Sequence, residues 1–107
     1  MYVADFFFGL ITKIDADSMK GIKSCYFRPG LRPIVFDEQR KLLYVGSYHS
    51  KDILVLNEEL HELGRLRSAG ATRNMVLTQD NRTLYLAGMG GIYAIDLETA
   101  LAAELSQ

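Results

Sequence analysis

Two neighbouring phrases, Tyr44-Val45-Gly46-Ser47 and Ile53-Leu54-Val55-Leu56-Asn57, decide how this chain folds. Both are short, rich in β-branched, aliphatic and aromatic residues, and bounded by polar residues, which is the composition of β-strands. Each recurs on either side. Tyr2-Val3-Ala4-Asp5 and Tyr85-Leu86-Ala87-Gly88 repeat the first phrase, with successive tyrosines 42 and 41 residues apart. Ile11-Thr12-Lys13-Ile14-Asp15 and Ile92-Tyr93-Ala94-Ile95-Asp96 repeat the second. A third phrase occurs twice, as Gly30-Leu31-Arg32-Pro33-Ile34-Val35-Phe36 and Ala71-Thr72-Arg73-Asn74-Met75-Val76-Leu77, with Arg32 and Arg73 again 41 residues apart. Three phrases sharing nearly one period define a repeat of about forty residues.

The segments between the phrases suit turns. Asp37-Glu38-Gln39-Arg40-Lys41 and Thr78-Gln79-Asp80-Asn81-Arg82 are polar clusters of the kind that join antiparallel strands. Less regular segments at residues 21–27, 61–67 and 101–105 close each unit. The expected fold is therefore all-β: consecutive four-stranded antiparallel β-propeller blades. The unbroken apolar run Ile53-Leu54-Val55-Leu56 predicts sheets buried on both faces, because a half-solvated sheet would alternate apolar and polar positions. The final segment, Glu98-Thr99-Ala100-Leu101-Ala102-Ala103-Glu104-Leu105, has the Ala and Leu content of a helix. Its position in the repeat calls for an outer strand, and that is the expectation.

These phrases resemble the β-propeller repeats called YVTN, which are related to lactonase-type and NHL-type propellers. The sequence departs from the name motif: no unit has Thr-Asn after Tyr-Val, and the third unit has Leu86 in place of Val. It contains no Trp, unlike propellers built on a recurring tryptophan. The blade order of this family begins with the innermost strand, here the Arg phrase. The resemblance thus implies a blade lacking its inner strand at residues 1–29, a full blade at 30–69 and another at 70–107. That is about 2.75 blades in one partial propeller domain, whereas rings typically hold about four to eight. The chain is expected to be an incomplete propeller, a segment of a larger ring.

Composition narrows the function classes. The 107 residues are 49 % hydrophobic and 23 % charged, the balance of one globular domain. Twelve basic against thirteen acidic residues leave a formal charge of −1, which offers no electrostatic reason to expect nucleic acid or an anionic membrane as partner. The apolar run at residues 6–11 is far below the roughly 20 residues of a membrane span, and Asp5 stands where a signal peptide carries positive charge. It reads as a strand and its turn in a soluble chain. One cysteine, Cys25, excludes an internal disulfide, and its neighbours Tyr26 and Phe27 suggest a buried, inert thiol.

The candidate binding residues are Arg32, Arg73, Tyr48 and His49. If each Arg phrase is an inner strand, the two guanidinium groups lie at equivalent points near one mouth of the channel. There they could grip a carboxylate or phosphate, or else bond backbone carbonyls of the neighbouring turn. Recurrence in both units favours the second role. Loops expected on that same face carry residues 6–9, Tyr48-His49-Ser50-Lys51 and Met89-Gly90-Gly91. His49 could ligate a metal or act as a base but, as a lone exposed imidazole, reads as solvated, and His61, among Glu58, Glu59 and Glu62, reads as a surface residue. Asp15-Ala16-Asp17-Ser18 begins like a calcium loop, but Met19 and Lys20 stand where a ligand and the turn glycine belong. No catalytic residue, metal site or cofactor is expected. The reading is a non-catalytic propeller segment that binds a protein or small ligand, with another propeller segment, a second copy or an unidentified protein as partner. The alternative is part of a lactonase- or dehydrogenase-type propeller enzyme, contributing to the central channel.

Overall fold

The computed structural model describes residues 2–5, 10–27, 31–47, 52–67, 72–88 and 91–105. Among the described residues ten strands run in chain order: β1 (Tyr2–Asp5), β2 (Leu10–Ile14), β3 (Gly21–Tyr26), β4 (Leu31–Asp37), β5 (Leu42–Ser47), β6 (Asp52–Asn57), β7 (Glu62–Arg67), β8 (Thr72–Leu77), β9 (Thr83–Gly88) and β10 (Gly91–Asp96). They form three antiparallel sheets in simple meander order: β1-β2-β3, β4-β5-β6-β7 and β8-β9-β10. Polar turns carry the chain between strands. Lys41 and Asn81 hold positive φ in the β4–β5 and β8–β9 turns, and Asn81 N donates to the Thr78 carbonyl at 2.9 Å.

The middle sheet is the core. Its strands alternate as any strand must, but both sets of side chains are apolar and both find partners. Leu42, Tyr44, Ile53, Val55 and Leu66 pack with Met75, Leu84 and Leu86 of the third sheet. Leu43, Val45, Leu54 and Leu56 pack with Ile11 of the first sheet and with Leu60. The four residues 53–56 are all within 1 % of full burial, which is why that run shows no polar alternation. Burying each such side chain is worth about 1.5–3 kcal/mol. Stacking is therefore what holds the three sheets together.

The third sheet has three strands where the repeat calls for four. Residues 97–105 form a helix, α1 (Leu97–Leu105), not the expected outer strand. Local preference wins here: Ala, Leu and Glu dominate the segment, and Glu98 lies at the positive end of the helix. Leu97, Ala100 and Leu101 share one face at helical spacing, and all three pack into the core beside Leu66 of β7. The start is anchored by Leu97 N donating to the Arg82 carbonyl at 2.9 Å and by Thr99 Oγ1 donating to Asp96 Oδ2 at 3.2 Å. No helix among the described residues is long and apolar enough to cross a membrane.

Candidate functional site

Arg32 and Arg73 sit at matching irregularities. The β4–β5 register breaks between Leu31 and Ile34, and the β8–β9 register breaks between Thr72 and Asn74. Each arginine therefore lies within a β-bulge, Arg32 with Pro33 opposite Gly46 and Arg73 as the extra residue between Thr72 and Asn74. Pro33, which has no N–H to give a ladder, is accommodated in the first bulge. Arg73 is exposed, and the Arg32 side chain lies outside the described residues. Tyr48 and His49 also lie outside them, as do the loop residues 6–9, 48–51 and 89–90. Among the four candidates, the structure thus places only the two arginine backbones and one guanidinium.

Between the bulges the inner strands approach closely. A side chain on Gly46 would meet Pro33 Cγ at 2.7 Å and Thr72 Cγ2 at 3.0 Å, so this position in β5 admits no Cβ without displacement. Thr72 is buried there, and its Oγ1 has no hydrogen-bond partner among the described residues.

A charged network that the sequence did not announce lies at the other end of these strands. Asp37, fully buried at the end of β4, accepts from Tyr44 Oη at 2.7 Å, Arg40 Nη1 at 2.8 Å and the Arg40 backbone N at 3.1 Å. Burial pushes the Asp37 carboxyl up, but the hydrogen bonds from Tyr44 and Arg40 outweigh it and hold the group below the usual carboxylate range. Burial and the adjacent carboxylate push the Tyr44 phenol up. Arg40 Nη1 also donates to the Asn81 carbonyl, bridging the β4–β5 turn of the middle sheet to the β8–β9 turn of the third. The network is a clamp between sheets. Its legible trace is a strand-end Asp with Arg three and Tyr seven residues on, one turn and one strand away.

Other sequence candidates resolve into ordinary structure. Asp15 accepts from Asp17 N and Ser18 Oγ, both at 3.1 Å, closing a local turn. Cys25 is half-buried against the Ile11 cluster, and His61 is exposed. Among the described residues, no three His, Cys, Asp or Glu side chains converge as a metal would require.

The outer faces of the two end sheets are open. On the third sheet Val76 is 63 %, Tyr85 45 % and Ile92 78 % exposed. The registers Val76↔Tyr85 and Ile92↔Ala87 place all three on one face, opposite Leu84 and Leu86. On the first sheet Val3, Ile22 and Tyr26 are exposed, but there Thr12 and Ser24 share a hydrogen bond of 2.9 Å. That end is the more polar of the two.

No protein-family model matches the sequence, and no curated protein does. Solved structures match in shape. The chain is similar to hydrazine synthase of Kuenenia stuttgartiensis, at a TM-score of 0.77 and 20 % identity, over 86 % of this chain and 28 % of that one. It is also similar to the dihydro-heme d1 dehydrogenase NirN in complex with DHE, at a TM-score of 0.70 and 20 % identity, over 89 % of this chain and 21 % of that one. Both are β-propeller proteins. The chain spans less than a third of either. At this identity the likeness is one of fold, and the fold is a partial, unclosed β-propeller.

Proposed function

We propose that residues 1–107 are a non-catalytic propeller scaffold of YVTN type, built of units 1–29, 30–69 and 70–107, which binds protein through the open face of its last sheet. One observation carries this reading. In the middle sheet Val35, Tyr44 and Ile53 form the face on which the third sheet stacks, with Tyr44 and Ile53 fully buried. Val76, Tyr85 and Ile92 occupy the same positions one repeat later, in the same cross-strand register, and are exposed. The sequence keeps a stacking face against which, among the described residues, no sheet is stacked.

The complementary surface is another apolar sheet face, that of a further propeller segment or a second copy. Covering the exposed parts of Val76, Tyr85 and Ile92 is worth about 1–2 kcal/mol each before the cost of association. Both similar structures are named as enzymes, which is the background of the alternative reading as a channel-lining part of a lactonase- or dehydrogenase-type propeller. Likeness of fold does not transfer activity. Arg32 and Arg73 belong to the scaffold reading as anion-gripping or blade-capping residues at the channel mouth, with Tyr48 and His49 on a neighbouring loop.

Light scattering coupled to gel filtration tests the proposal. The chain is expected to elute as a concentration-dependent oligomer and to bind an apolar dye, and Tyr85→Glu is expected to abolish both without unfolding it. A wild-type monomer with a cooperative melt and no dye binding overturns it.

A further inference from the structure

The third sheet is open along an edge as well as on its face. The chain that leaves β10 coils into α1 instead of returning as a fourth strand. α1 sets Leu97, Ala100 and Leu101 into the core beside Leu66 of β7, and a helix, which bonds its own main chain, gives β10 no ladder. One bond fixes the direction of the unused groups. Leu97 N donates to the Arg82 carbonyl, and this pair continues the register Asp96↔Thr83. Main-chain groups alternate along a strand, so Gly91, Tyr93 and Ile95 bond β9, while the N–H and C=O of Ile92 and Ala94 point to the outer edge. Both residues are exposed, and among the described residues no strand pairs with that edge.

The composition of β10 is that of an inner strand. At the outer edge of the other two sheets stand β3 and β7, and both are charged, with Lys23 in β3 and Glu62, Arg65 and Arg67 in β7. Such charges guard an open edge against pairing. β10 carries none from Gly91 to Ile95, and in this it matches β6, which runs between β5 and β7. β3 and β7 also show what the place beside such a strand receives. Cys25 of β3 lies opposite Ile11, and Leu66 of β7 lies opposite Ile53, the two equivalents of Ile92. Each of these strands brings basic residues with it. Residues 91–105, by contrast, hold Asp96, Glu98 and Glu104 and no Lys, Arg or His.

We infer that the outer edge of β10 is a strand-docking site, which takes a short extended segment of another polypeptide with an apolar residue flanked by basic ones. The incoming main chain bonds the groups of Ile92 and Ala94, as β7 bonds β6. Its apolar side chain lies beside Ile92, as Leu66 lies beside Ile53, and its positive charge offsets that of the acidic segment. The β10 of a second copy is a poor occupant, because it would set one acidic segment against another. The inference goes beyond the stacking face proposed above, since the groups it uses are main-chain groups along the rim of that sheet.

The probe is a fluorescent peptide copying residues 61–67, titrated with the full chain and followed by anisotropy. Saturable one-to-one binding is expected, about tenfold or more tighter than that of a scrambled peptide. A peptide with Gln at both arginine positions is expected to bind more weakly at low salt, the difference closing in about 1 M salt. Ala94→Pro in the chain removes an edge N–H and no bond to β9, so it is expected to abolish peptide binding and keep the cooperative melt. A second pair of peptides tests the edge without altering the chain. One carries backbone N-methyl groups at the positions of Glu62, Gly64 and Leu66, the other at those of Leu63, Arg65 and Arg67. Only one side of the added strand faces β10, so one is expected to bind and the other to fail. Absence of saturable binding, binding equal to that of the scrambled peptide, equal behaviour of the methylated pair, or full binding by folded Ala94→Pro overturns the site. Equal binding of the Gln peptide overturns the basic partner. A Tyr85→Glu chain that stays oligomeric until Ala94→Pro is added would make a second copy the occupant and overturn the inference. A Tyr85→Glu monomer that binds the peptide separates the edge from the face, and a wild-type oligomer that fails to bind it sinks the edge alone.

Discussion

Tyr44→Phe isolates the inter-sheet clamp with the smallest possible change. The substitution keeps the ring in its fully buried place and removes the hydroxyl that donates to Asp37 Oδ2 at 2.7 Å. Arg40 still bonds the carboxylate, so the loss is one hydrogen bond to a charged acceptor, about 1.5–3 kcal/mol. Against a domain stability of about 5–15 kcal/mol this is a large fraction. With a urea slope of about 2 kcal/mol per M, the unfolding midpoint should fall by about 1 M at neutral pH. The pH dependence adds a second readout. Asp37 is held below its ordinary range in the folded chain, so its stabilisation is fully present above the unfolded carboxylate pKa, near 4, and is lost as pH falls through the lower folded value. Without the Tyr44 donor the folded pKa rises, and the gap between variant and wild type should close as both proteins are acidified. Chemical denaturation of both proteins across the acid range measures this. Equal midpoints at pH 7, or a gap undiminished after Asp37 is protonated, would refute the account of the clamp.

Three smaller perturbations probe the inner strands. Gly46→Ala should destabilise by about 1–3 kcal/mol, read by thermal melting, because the new methyl meets the Pro33 ring and Thr72. Thr72→Val should raise the melting midpoint, by the equivalent of about 1 kcal/mol, since it removes a buried hydroxyl that lacks a partner among the described residues. Arg73→Ala, at an exposed bulge position, should change stability by no more than about 0.5 kcal/mol in urea unfolding. A larger loss would show that the guanidinium caps the blade, whereas lost phosphate binding with unchanged melting would make it an anion ligand.

What the sequence disclosed follows from the range of the forces involved. The run Ile53-Leu54-Val55-Leu56 announced a doubly covered sheet because burial acts on every residue of a strand. The forty-residue period did the rest, since each phrase meets the same neighbours. Residues 98–105 went the other way. Their repeat position called for a strand, but Leu97, Ala100 and Leu101 reach the core from one helical face, and intrinsic preference agreed with packing. The clamp was hidden because it closes through space: Arg40 reaches the carbonyl of Asn81, 41 residues away on the next sheet. The arginine pair was visible as a recurrence, but the bulges that hold the two residues are properties of register, which composition does not show.

The central claim is that Val76, Tyr85 and Ile92 form a stacking face like the one buried inside the chain. Native-state hydrogen exchange over a range of protein concentrations tests it most directly. The account predicts that amide protection in β8, β9 and β10 rises with concentration, while β5 and β6 stay at their maximal protection throughout, and that Tyr85→Glu removes the rise. Protection in β8–β10 that is independent of concentration, in a protein that remains monomeric, would contradict it.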